Sequence, residues 1–165
     1  MNKKSLTEVN MIKLVPVKNE EKELFRNINQ KYLYEMTMFY PDVMDELGNY
    51  HYGHFDEYFI DPERKAFFIY SDDTMVGFVM INPYFVIDQH PDHTMAEFTI
   101  FPSYRRNHLV LSTASLILST YKGSWEIKYN EKNKGAKMLW HTVTAPYHPK
   151  IYHLNEEETV LVFRS

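Results

Sequence analysis

Residues 95–110 hold the groups best placed for chemistry. Glu97 stands in an apolar run, flanked by Ala96 and Phe98, and that run closes at Pro102. Tyr104, Arg105 and Arg106 follow, before a second apolar stretch that reaches Tyr121. The pattern predicts a buried strand, a tight turn and the opening of a helix. Such a unit aims several backbone N–H groups and the positive end of the helix dipole at one point, which makes a seat for a phosphate. An ionised carboxylate is expensive inside an apolar strand, so Glu97 is expected to titrate above the usual carboxylate range, unless it points outward or pairs with an arginine.

A second dense stretch, residues 39–58, mixes Tyr40, Tyr50, Tyr52 and Tyr58 with Asp42, Asp45, Glu46, Asp56 and Glu57. Carboxylates among aromatic faces suit a cationic ligand, by charge and by cation–π attraction; the same composition also describes a solvated loop. His51, His54 and Asp56 raise metal binding, as do His90, Asp92 and His93, and His148 with His153. None has a recognised zinc spacing with a third ligand and an orienting partner, so no metal is expected. Ser103 and Ser112 lie in no nucleophile motif. Neither Gly-x-Ser-x-Gly nor Gly-x-x-x-x-Gly-Lys occurs, which removes the hydrolase and P-loop readings.

The elements that must position these groups follow from periodicity. Residues 9–17 are short and β-rich. Asn19 is placed to cap a helix whose first turn carries Glu20, Glu21 and Glu23. Phe25, Ile28, Tyr32, Met36 and Phe39 then recur at three and four residues until Pro41. Residues 42–60 read as a loop with a short helix near 55–59. Residues 66–70 and 75–84 form a hairpin about Ser71-Asp72-Asp73-Thr74. After a polar loop at 88–93 come a strand at 95–101, a helix at 109–121 with a small-residue face (Ser112, Ser115, Ser119), and a strand at 124–129. A helix at 133–143 and strands near 143–152 and 159–163 complete the chain. The order β-α-(α)-β-β-β-α-β-α-β-β predicts an α/β (α+β) domain with a mixed sheet and helices on both faces.

Composition bounds the partners. With 165 residues and no linker or repeat, residues 1–165 read as one domain. A formal charge of −4 and a pI near 6.0 argue against nucleic acid. No cysteine is present, so disulfides, zinc-thiolate sites and a cysteine nucleophile are excluded. The N-terminus has no apolar core of a signal peptide and no segment approaches a membrane span, so a cytoplasmic protein without membrane association is expected. Thirteen tyrosines and eleven phenylalanines favour a cleft for an organic ligand.

Pro102-x-Tyr104-Arg105-x-x-His108-x-Val110 resembles the coenzyme-A loop of the GNAT superfamily of N-acetyltransferases, usually Pro-x-aromatic-Gln/Arg-x-x-Gly-x-Gly/Ala. His108 and Val110 stand where that loop carries glycine. Asn133-x-x-Ala136-x-x-Leu139-Trp140 is similar to the family's Asn-x-x-Ala-x-x-aromatic helix, and the element order matches over nearly the whole chain. The resemblance implies a mostly antiparallel sheet of about seven strands, with the pantetheine arm of acetyl-CoA, the acyl donor, lying between the strands at 95–101 and 124–129. It implies coenzyme contacts from Ile100, Phe101, Arg105, Arg106, Asn107, His108, Leu109, Val110 and Asn133. It makes Glu97 the candidate base and Tyr40, Tyr50, Tyr52 and Asp56 the candidate acceptor contacts. The family's proton-donating tyrosine corresponds to Trp140, so that role is vacant or falls to another tyrosine, such as Tyr129 or Tyr147. Side chains at two positions requiring φ > 0 would cost roughly 1–2 kcal/mol each, about tenfold in affinity apiece. The implied activity is acetyl-CoA-dependent N-acetylation of a primary amine on a small cationic molecule or a protein. The alternative is a non-catalytic protein of the same fold, binding another ligand or a partner protein; a homodimer is an open option.

Overall fold

The computed structural model describes residues 11–87, 90–105 and 108–165. The chain forms β1 (Ile12–Pro16), α1 (Lys22–Met36), β2 (Lys65–Ser71), β3 (Thr74–Asn82), β4 (His93–Ile100), α2 (Leu109–Thr120), β5 (Ser124–Asn130), α3 (Lys134–Thr144), β6 (Lys150–His153) and β7 (Glu158–Arg164). The expected first strand begins two residues outside the described part, as does part of the polar loop at 88–93.

The seven strands make one sheet in the order β1-β2-β3-β4-β5-β7-β6. All neighbours are antiparallel except β4 and β5, which are parallel. Alternation along the strands sends side chains to two cores. Towards α1, Phe25 meets the rings of Phe68 and Phe78 edge-on at 5.7 and 5.2 Å, with Phe55, Tyr58 and Met80 around them. Towards α2 and α3, Val79, Ile81, Ile117, Leu118, Trp125, Ile127 and Leu161 are wholly or almost wholly buried. Aromatic edge-to-face contacts and apolar burial hold each helix layer to the sheet.

Three local expectations are corrected. Asn19 does not cap α1. It sits in a 3-10 turn (Asn19–Glu21), and Glu21 reaches back to accept from the Lys18 amide at 2.9 Å. Phe39 continues the apolar period but not the helix, because α1 ends at Met36 and a turn carries Phe39 and Tyr40, whose amides bond the Met36 carbonyl. Residues 143–147, expected to open a strand, instead end α3 and form a 3-10 turn about Pro146 (Ala145–Tyr147), so β6 starts only at Lys150.

Candidate functional site

The one parallel pairing is short. His93, Thr94 and Met95 pair with Trp125, Glu126 and Ile127, and beyond them β4 and β5 part. The gap opens on a cleft of about 1130 Å³, lined by Glu97, Phe98 and Ile100 of β4, Lys128 and Asn130 of β5, and residues from α1, α2 and α3. Register explains how a carboxylate comes to stand there. Between β3 and β4 the pairing passes from Met80–Glu97 to Ile81–Met95, which leaves Ala96 as an extra residue. A bulge of this kind re-aims the side chains beside it. Ala96 packs in the α1-side core and Glu97 turns to the same side, where the Tyr32 hydroxyl of α1 donates a short hydrogen bond to Oε2.

The environment of Glu97 shifts its titration. Protein surrounds the carboxyl except where it meets the cleft, and this burial pushes its pKa up to about 6, while hydrogen bonds from Tyr32 and Tyr52 and the charge of Lys128 pull the other way. Burial, then the neighbouring Glu97 charge, raises both Tyr32 and Tyr52 well above an ordinary phenol, so these hydroxyls remain donors. Tyr40 is pushed up to about 12, by burial first and the Glu158 carboxylate second. Lys128 pairs with Glu158 at 2.8 Å and lies 5.9 Å from the Tyr40 ring centroid. The carboxylate is thus held in a cage of phenols with one tethered cation at its edge.

At the other end of the cleft, His108 precedes α2 with φ 62° and ψ 4°, the left-handed conformation. The first amide of α2 to reach a helical carbonyl is that of Ser112, 2.9 Å from the His108 oxygen. The amides of Leu109, Val110 and Leu111 precede it and have no partner within the helix, as at any helix start. His108, Val110 and Leu111 line the cleft. A left-handed residue and a helix N-terminus at the edge of a cleft are chemically suited to a phosphate-bearing ligand.

No protein-family model matches the sequence, and no curated protein matches it. Solved structures do match. An acetyltransferase from Thermus thermophilus superposes with a TM-score of 0.65 at 15% identity, over 94% of this chain and 97% of that one. The GNAT domain of S. lividans PAT gives 0.67 at 8% identity, over 93% and 90%. A spermidine N-acetyltransferase from Vibrio cholerae, solved in complex with CoA and spermine, gives 0.60 at 10% identity, over 93% and 95%. The chain has the GNAT acetyltransferase fold.

Within that fold the expected residues separate into groups. Ile100, His108, Val110 and Asn133 line the cleft, with Leu109 opening the helix between them. Phe101 instead packs against the α1-side core, its amide bonded to the Val76 carbonyl at 2.7 Å. Asn133 also caps α3, accepting from the Ala136 amide at 3.0 Å, so its side-chain oxygen is engaged. Arg105 reaches the cleft but turns its guanidinium to Glu35. Arg106 and Asn107 lie outside the described residues. Val110 falls inside α2 and is not among the residues with positive φ, so of the two expected strain costs only that at His108 arises.

On the acceptor side, Tyr40 lines the cleft and Tyr52 reaches Glu97, whereas Tyr50 and Asp56 have other contacts. The Tyr50 backbone is held by both ends of the Gln30 amide, and Asp56 pairs with Lys22 and Arg26 at the surface. Trp140 is buried with its ring centroid 5.4 Å from that of Phe98. The Tyr129 hydroxyl lies 2.8 Å from His141 Nε2. The reading of the sequence missed Tyr32, Glu35 and Lys128. Tyr32 was hidden as one more apolar position on α1. Lys128 was legible, because Trp125, Ile127 and Tyr129 alternate with Glu126, Lys128 and Asn130, which puts those polar residues on the opposite face of β5. Among the described residues no group of three or more His, Asp or Glu side chains could hold a metal, and no helix is long and apolar enough to cross a membrane.

Proposed function

We propose that this protein is an acetyl-CoA-dependent N-acetyltransferase that acts on a primary amine of a small cationic molecule or a protein. Acetyl-CoA, bound with its diphosphate at the start of α2 and its arm between β4 and β5, would supply a thioester as acyl donor and a thiol as leaving group. Glu97 supports this reading most strongly. It is a carboxylate held in the gap between the parted strands, in a place where a reacting amine can approach it.

An alkylamine is neutral only about once in several thousand molecules at pH 7, given a pKa near 10.4. Glu97, with a pKa of about 6, is mostly ionised at that pH and close enough to neutrality to accept a proton efficiently. It takes the proton that the ammonium must lose before its nitrogen lone pair can attack, either directly or through one water. Tyr32 and Tyr52 hold the carboxylate in place and stay protonated while they do so. The phenol face of Tyr40, with the carboxylates of Asp42 and Glu97 in the same lining, favours a cationic acceptor over an anionic one. His108 and the amides that follow it hold the diphosphate.

The test is acetyl transfer from acetyl-CoA to a panel of primary amines, with coenzyme affinity measured in parallel. Glu97→Gln is expected to lower kcat by about 10²–10⁴-fold while coenzyme Kd stays within about twofold. Coenzyme binding without transfer to any amine, in the wild type as in the variant, would favour a binding protein instead.

A further inference from the structure

Arg105 is the residue that the sequence pattern assigns to a phosphate, and its donors point elsewhere. Nη1 and Nη2 take the two oxygens of Glu35 at 2.5 and 2.8 Å, Nε donates to the Ile100 carbonyl at 2.6 Å, and Nη2 also reaches Thr99 Oγ1 at 3.3 Å. A guanidinium gripped in this bidentate way presents no free fork to a second anion. The contact ties three elements together. Thr99 and Ile100 end β4, where β5 has already parted from it. Glu35 lies on α1 three residues after Tyr32, so the two leave the helix on one face, Tyr32 to Glu97 and Glu35 to Arg105. On the other flank β3 approaches β4 so closely that a Cβ on Gly77 would lie 2.1 Å from the Thr99 carbonyl oxygen. The free end of β4 is therefore fixed from both sides, by the Gly77 contact and by the arginine.

We infer that Arg105 is a positioning residue: clamped by Glu35, it fixes the parted end of β4 and the 3-10 turn that follows it (Pro102–Tyr104), and it does not itself bind the diphosphate. This rests on the coenzyme reading proposed above. It has a consequence of definite sign. If Arg105 were a phosphate ligand restrained by Glu35, removing the carboxylate would release it and tighten coenzyme binding. If Arg105 acts through the clamp, removing the carboxylate weakens binding.

The experiment is calorimetric titration of acetyl-CoA into the wild type, Glu35→Gln, Arg105→Ala, Arg105→Lys and the Glu35→Gln/Arg105→Ala double variant, each with a thermal melt of the free protein to confirm folding. Glu35→Gln and Arg105→Ala should each weaken coenzyme about fivefold, and the double variant should be no worse than either. Arg105→Lys, a point charge without the fork, should resemble Arg105→Ala. The KM for acetyl-CoA should rise while kcat at saturating coenzyme stays within about twofold. Tighter binding by Glu35→Gln, fully additive losses in the double variant, or wild-type affinity in Arg105→Lys would each overturn the inference. Absence of binding by the wild type would instead remove the coenzyme reading, and the inference with it.

Discussion

At the scale of single residues, Glu97 carries opposite obligations. Its burial makes it a better base and a worse contributor to stability. The folded protein holds its proton up to about pH 6, whereas an unperturbed glutamate releases it near 4.5. Between those values the folded state binds more protons than the unfolded chain, so this residue's contribution is full below about 4.5 and is lost as pH rises through 6. The loss is about 1–2 kcal/mol after allowing for the solvent the carboxyl meets in the cleft. Glu97→Gln should therefore gain stability relative to the wild type as pH rises, with the two converging near pH 4.5 and differing by that amount at pH 7.5. Urea unfolding at the two pH values measures it. A difference independent of pH would mean that Glu97 is not held at a raised pKa. The position and apolar flanks of Glu97 were visible in the sequence. Its donor was not, because Tyr32 lies 65 residues away and only the packing of α1 on the sheet brings the pair together.

At the scale of elements, the turn into α2 determines how the substituted loop behaves. His108 keeps the positive φ that a glycine would take without strain, and Val110 is an ordinary residue of the helix. His108→Gly should relieve about 1 kcal/mol of backbone strain and bind acetyl-CoA as well as the wild type or up to about tenfold more tightly. Val110→Gly relieves no such strain and should destabilise the protein by about 1–2 kcal/mol, through lost helix propensity and lost packing against the core. Paired titrations and melts separate the two. Weaker binding by a folded His108→Gly variant would mean that the imidazole itself contacts the ligand. Most of the sequence-level elements are recognisable here, because periods of two and of three to four survive into β4, β5, α2 and α3. Boundaries failed where a local contact overrode the period. Glu21 displaced the expected cap at Asn19, and the Met36 carbonyl drew Phe39 into a turn. Dihedral angles are not written in residue type, so the unequal roles of His108 and Val110 needed the structure.

At the scale of the whole molecule, the cleft follows from topology. Six neighbouring strand pairs form the sheet, and the one parallel pair is the one that parts. Where the pairing of β4 and β5 ends, beyond Met95 and Ile127, an opening is left between two filled cores. α1 then places a carboxylate's partner, Tyr32, and an arginine's partner, Glu35, along one side of it. The central claim is that this opening takes acetyl-CoA with the diphosphate on the α2 amides. The most direct measurement is an amide-resolved NMR titration of the wild-type protein with acetyl-CoA. The account predicts saturable one-site binding, with the largest shifts at Leu109, Val110 and Leu111 and a second set along the facing edges of β4 and β5. No saturation at millimolar coenzyme, or shifts confined to another surface, would contradict it.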